Sequence, residues 1–128
     1  MKLLLDTHVF LWWVMNDPRL SSTARAAIAG SASMVYVSAA TGWEIAIKAG
    51  MGRLKLPYHA KEFVPQQIEI NRFEVLPIAL THGLAVHDLP LLHRDPFDRL
   101  LVIQAQIGGL RLVTDDGLIQ QYQVDILW

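Results

Sequence analysis

The chain contains no cysteine, which excludes disulfide staples and any thiolate metal site and fits a reducing, cytoplasmic setting. It has no apolar run near membrane-spanning length. The uncharged stretch 9–15 falls far short of the roughly 18 residues a span requires. Residues 1–5 resemble the opening of a signal peptide only until Asp6 and His8 interrupt them. Charge of one sign is also missing: the formal net charge is −1, so no global basic field advertises a polyanionic partner. There is no internal repeat, linker or low-complexity segment, and 128 residues suit one domain, 1–128, with a core of its own. What the chain has in surplus is apolar residues, 52% with four tryptophans, somewhat above the roughly 45–50% of ordinary soluble domains. Some of that surface is expected to be covered by another chain.

Short aliphatic runs alternate with helical patterns along the whole sequence. Lys2–Leu5 has no polar alternation, as expected of a strand buried on both faces. Further strands are predicted at 34–37, 73–78, 111–114 and 124–127. Helices are predicted from about residue 9, after a Ser21 or Ser22 cap, over 39–49 after a Ser38 cap, and over 80–86. Residues 59–71 read as one helix interrupted, or two short ones joined, at Pro65. The clearest helix opens at Asp95-Pro96 and closes at Gly108-Gly109. A short helix is predicted over 116–122. The alternation implies βαβ units and a mostly parallel sheet covered on both faces.

Acidic residues fall at telling places in this pattern. Asp6 lies where the first strand turns into a helix, the edge at which open α/β sheets bind ligands. Its plain alternative is an N-cap. Glu44 lies inside the Ser38-capped helix among Ala40, Trp43, Ile45 and Ile47, where a carboxylate needs a partner. Lys48, four residues on, offers a surface ion pair. Asp95 is explained as the cap before Pro96, which leaves Asp98 free to point along the sheet edge. Of Asp115 and Asp116, which follow the fourth predicted strand, one caps the next turn and the other is spare.

Asp6, Asp98 and one of that last pair therefore share an edge. Gathered carboxylates repel, so some are protonated or a cation joins them. An all-oxygen site favours Mg²⁺, or Mn²⁺, over Zn²⁺. No histidine pair competes for the role: His82 and His87 are five apart, and His8 and His93 border the site without being assigned to it.

These residues resemble the PIN-domain nucleases, and specifically the VapC-type toxins of bacterial toxin–antitoxin pairs, over nearly the whole chain. The segment Leu-Asp-Thr-His-Val-Phe-Leu-Trp-Trp from Leu5 is similar to the family's opening motif, with Asp6 as first acidic ligand. Residues 38–48 are similar to the segment carrying the second, Glu44. His-Arg-Asp-Pro-Phe-Asp-Arg-Leu-Leu from His93 is the most specific match and puts the third on Asp98 rather than Asp95. Leu-Val-Thr-Asp-Asp from Leu112 resembles the family's Thr-x-Asp and puts the fourth on Asp116, although Gly117 directly after it departs from the pattern.

The resemblance implies a single three-layer α/β/α domain with about five strands and Asp6 on the central one. It implies an endoribonuclease that hydrolyses RNA with one or two Mg²⁺ ions between Asp6, Glu44, Asp98 and Asp116, a VapB-type antitoxin and a homodimer. Lys48, Arg94 and Arg99 are the local cations expected at RNA phosphates. The first helix, with Phe10, Leu11, Trp12, Trp13 and Met15, carries more bulk than one buried stripe holds, and is expected to offer the antitoxin a groove. The alternatives are a PIN-like nuclease acting on another nucleic acid and a non-enzymatic, Mg²⁺-binding receiver-like module. The second lacks the acidic pair such a module needs at its first strand, and His8 denies the Asp-x-Asp motif of haloacid-dehalogenase-like phosphotransferases.

Overall fold

The computed structural model describes residues 1–128. Five strands form one sheet: β1 (Lys2–Leu5), β2 (Met34–Ser38), β3 (Glu74–Leu76), β4 (Arg111–Val113) and β5 (Ile126–Leu127). Their order is β3-β2-β1-β4-β5, and every neighbouring pair is parallel. β1 is therefore central, as expected. The chain builds β2 and β3 to one side of it, then crosses to build β4 and β5 on the other. Between β1 and β4 the winding reverses, and such a switch point opens a crevice outside the strand ends.

Side-chain alternation splits the core into two layers. Leu3, Leu5, Val35, Val37, Val113 and Leu127 face one way. There they meet α1 (Thr7–Val14), α2 (Ser22–Ala29), α3 (Ala39–Gly50) and α4 (Ala60–Ile70). Leu4 and Leu112 face the other way, toward α6 (Pro96–Gly108) and the segment around Leu89, Ile119 and Tyr122. Leu3, Leu4, Leu5 and Leu112 have no solvent exposure at all, which is why β1 carries no polar alternation.

The helix caps are local and follow the sequence. Ser21, Ser38 and Asp95 accept backbone N–H bonds at the starts of α2, α3 and α6. Gly109 closes α6 in the left-handed region at φ 63°, a conformation glycine adopts without a Cβ penalty.

Three elements differ from expectation. Pro65 does not interrupt its helix: α4 runs unbroken through it. Pro65 and Lys61, whose carbonyl loses the proline's missing N–H, both lie on the exposed side, so the lost bond falls outside the core, while Phe63 and Val64 anchor the buried side. α5 (Leu80–Ala85) passes directly into a 3₁₀ turn, Val86–Asp88. The helix predicted at 116–122 is only a 3₁₀ turn, Ile119–Gln121, because the Asp116 carboxylate accepts the Leu118 N–H at 2.8 Å and forms a tight turn instead.

No helix is long and apolar enough to cross a membrane. The first helix is less open than its composition suggested. Trp12 packs against Trp128 at 6.0 Å with the Arg19 guanidinium 5.2 Å over its ring. Trp13 packs on Phe73, and its indole N–H donates to Asn71 at 2.9 Å. Both are half-buried, and of the three only Met15 is exposed, at 41%. The larger exposed apolar side chains lie elsewhere, on the outer face of α3 (Trp43, Ile47, Met51) and around α5 (Leu80, Leu84, Leu91).

Candidate active site at the switch point

Asp6 follows β1 directly, and its backbone N–H extends the sheet by donating to Val113 at 3.1 Å. Its carboxylate is buried and doubly held. Oδ1 accepts the Val9 N–H at 2.9 Å, capping α1, and Oδ2 accepts from the Thr114 hydroxyl. The cap and the edge position are thus both realised by one side chain. Burial pushes the carboxyl up from its ordinary range, while the Thr114 and Val9 bonds pull it back down.

Glu44 is buried on α3, as its neighbours implied, although Trp43 contributes little to that burial because it is itself 60% exposed, edge-on to Phe97. Oε1 accepts from the Thr7 hydroxyl at 2.7 Å, and Oε2 meets the Lys48 ammonium at 2.5 Å. The ion pair expected at the surface is therefore one-sided, with a half-exposed lysine and a buried glutamate.

Asp98 rides the first turn of α6, and Asp95 caps that turn by accepting from Phe97 and Asp98 N–H. With the capping role filled, the Asp98 side chain lies against the edge, only 16% exposed. Burial first, and then the facing charges of Asp95, Asp6, Asp116 and Glu44, push its carboxyl up to about 8. Asp98 is thus the group on which the acidic cluster converges. Asp116 is half-buried and donates its backbone N–H to the Thr114 hydroxyl oxygen at 3.1 Å, whereas Asp115 is exposed and acts on Asp6.

The carboxylates are gathered without being drawn to ligand distance of a common point. Their chemistry nonetheless suits a hard divalent cation. The donors are carboxylate oxygens, and their mutual repulsion, expressed at Asp98, is what a cation relieves.

The three basic residues separate. Arg94 is exposed and Lys48 is tied to Glu44. Arg99 is corrected: it does not reach RNA, because it is buried on the inner side of α6. Its guanidinium donates to the carbonyls of Pro90, Leu89 and Val86 and to the Tyr122 hydroxyl, so every exit to solvent is spent on holding the loop before α6. Three contributors escaped the sequence reading, Thr7, Thr114 and Tyr122, and a fourth, His93, was placed at the border of the site without a role. The two threonines carry a signal, each standing directly after a strand or its terminal acid. His93 had only its position before α6, and Tyr122 has none within reach of local pattern.

A family profile described as PIN domain matches residues 3–125. The chain is 32% identical over 123 residues to Ribonuclease VapC22 of Mycobacterium tuberculosis, covering 94% of this chain and 91% of that protein. In fold it is similar to a structure described as VapBC2 from Rickettsia felis bound to a promoter DNA fragment, with a TM-score of 0.71, 16% identity and coverage of 98% and 97%. It is similar also to FitAcB from Neisseria gonorrhoeae, with a TM-score of 0.62, 20% identity and coverage of 97% and 95%. The chain belongs to the PIN-domain family, and within it to the VapC-type proteins.

Proposed function

We propose that the protein is a divalent-metal-dependent endoribonuclease, the toxin of a VapBC-type pair, with Asp6, Glu44, Asp98 and Asp116 as its metal-binding and catalytic carboxylates. The observation that carries this is placement: Asp6 directly follows β1 and Asp116 lies just beyond β4, the two strands that flank the sheet's switch point, with the largely buried Asp98 on the first turn of α6. These four carboxylates would hold Mg²⁺ or Mn²⁺, which would supply Lewis-acid activation of water and stabilisation of the leaving oxygen. The chain's own residues prepare that site. Thr114 and the α1 N-terminus hold Asp6, Thr7 and Lys48 hold Glu44, and the Asp95 cap fixes the turn that presents Asp98. Lys48, half-exposed beside Glu44, and Arg94, exposed before Asp95, are the cations assigned to RNA phosphates.

The related VapBC and FitAcB structures support a VapB-type antitoxin as partner. The surface offered to it is a groove of about 760 Å³ between α3, α4 and their connector, floored by Ala46, Leu54, Leu56 and Val64. An amphipathic antitoxin segment would lie there, and inhibition would follow from a basic side chain of the antitoxin reaching the carboxylates. The exposed leucines around α5 are the apolar surface open to a second copy of the chain.

The test is incubation of the purified chain with labelled single-stranded RNA and, in parallel, DNA, with Mg²⁺, with EDTA, and with the co-expressed antitoxin. Internal cleavage of RNA in the Mg²⁺ arm alone is expected. Cleavage unaffected by EDTA overturns the metal assignment, and preferential cutting of DNA overturns the substrate.

A further inference from the structure

His93 stands just before α6 with its side chain only 6% exposed, packed on the Tyr122 ring at 5.3 Å. The Tyr122 hydroxyl is the centre of three contacts. It accepts from Arg99 Nη1 at 3.0 Å and from the His93 backbone N–H at 3.3 Å. Those two bonds fill its acceptor capacity, so its single proton goes to the third contact, His93 Nδ1, 2.8 Å away. A neutral imidazole that accepts at Nδ1 carries its own hydrogen on Nε2. That Nε2 is buried and has no hydrogen-bond partner, and the nearest carboxylate oxygen is Asp98 Oδ2 at 3.5 Å. A buried N–H left unmet is costly, and here the acceptor nearest to it belongs to the acidic edge. The far end is rigid, since Arg99 is fixed by three backbone carbonyls.

We propose that Arg99, Tyr122 and His93 form a hydrogen-bond relay in which His93 is a positioning residue: its Nε2–H takes Oδ2 of Asp98 and leaves the other oxygen to the metal. This rests on the reading of Asp98 as a ligand. It gives the buried Arg99 a role at the site that its position alone conceals. Partners of this kind orient a ligand, and their loss typically lowers metal affinity or activity by about 10–100-fold.

The experiment measures Mn²⁺ binding to the full chain by calorimetry, without RNA, alongside kcat and KM for RNA cleavage. Four variants are compared: His93→Phe, which keeps a ring but no donor, His93→Gln, whose amide nitrogen can replace Nε2, Tyr122→Phe and Asp98→Asn. Expected are Mn²⁺ affinity and kcat about 10-fold or more lower in His93→Phe, with KM within about twofold, and recovery of most of both in His93→Gln. Tyr122→Phe, one oxygen smaller, lowers both in the same direction and reads the relay even where His93→Phe folds poorly. Wild-type Mn²⁺ affinity and kcat in Tyr122→Phe or in a folded His93→Phe, beside an inactive Asp98→Asn, overturn the relay alone. A folded His93→Gln as impaired as His93→Phe overturns the donor role. Wild-type behaviour of Asp98→Asn overturns the metal reading and the relay with it.

Discussion

The Thr114 hydroxyl donates to Asp6 Oδ2 across 108 residues of sequence. The contact exists because β1 and β4 are neighbours with Leu5 opposite Val113, which brings the next residue of each strand together at the carboxyl edge. Asp6 thereby has one oxygen on a helix N-terminus and the other on a strand end.

Asp6→Asn keeps an oxygen for the Val9 N–H, and Asn caps helices as well as Asp does. The variant should melt within a few degrees of wild type while RNA cleavage falls to background. Cleavage at the wild-type rate in that variant removes Asp6 from the metal site. Thr114→Val should cost about 1 kcal/mol for the lost bond. Because that bond lowers the Asp6 carboxyl, its removal should shift the acid limb of the rate profile to higher pH.

Asp95 and Asp98 should separate by phenotype. Asp95→Ala loses a cap made to two N–H groups, which costs about 1 kcal/mol, and should retain much of its activity. Asp98→Asn relieves repulsion from four neighbouring carboxylates and should be inactive yet melt several degrees higher near pH 8. Thermal melts and cleavage rates on the two variants check the assignment, and the reversed pattern would refute it.

The raised Asp98 carboxyl also sets the pH dependence of stability. Its ordinary value is 3.8, and in the fold it is pushed up to about 8. Between those values the folded state holds a proton that the unfolded state has lost. Stability contributed by this group is therefore full at low pH, falls as pH rises through that window, and levels off above it. Mg²⁺ should reverse the trend, since it binds the ionised form and must displace a proton at lower pH. Melting curves should show a larger Mg²⁺ stabilisation at pH 8 than at pH 6, and a pH-independent increment would count against Asp98 as a ligand.

Arg99→Met should destabilise by about 3 kcal/mol, because the carbonyls of Pro90, Leu89 and Val86 lose their donor inside the fold. Arg94→Ala should instead leave the melt unchanged, since Arg94 is exposed. It should weaken RNA binding and lower its salt dependence by about one phosphate contact. Urea melts and binding isotherms at two salt concentrations distinguish the interior arginine from the surface one.

Much of the architecture is written in short-range pattern. An apolar run of four residues makes β1 a buried central strand, and Ser21, Ser38 and Asp95 cap their helices through groups two or three residues away. The division of labour between Asp95 and Asp98 is legible for the same reason, because one helix turn contains both. Periodicity also placed Glu44 inside the fold, with Lys48 one turn along as its partner.

Other features depended on strand order and on which way the crossovers ran. Arg99 shares the polar, basic look of Arg94, but the α6 face it occupies packs over Tyr122, which lies 23 residues on, so one is buried and the other solvated. The surplus of α1 was plain in its composition, whereas its cover by Trp128, Arg19 and Phe73 required the sheet to bring those residues alongside. His93 bordered the site in the sequence but had no role until the Tyr122 hydroxyl, 29 residues away, placed its ring beside Asp98. Caps and faces are set within about four residues, so the sequence alone determined the elements and their acids. Hydrogen bonds between residues 20 to 110 apart exist only once the sheet is assembled, so the partners of those acids were decided by the tertiary structure.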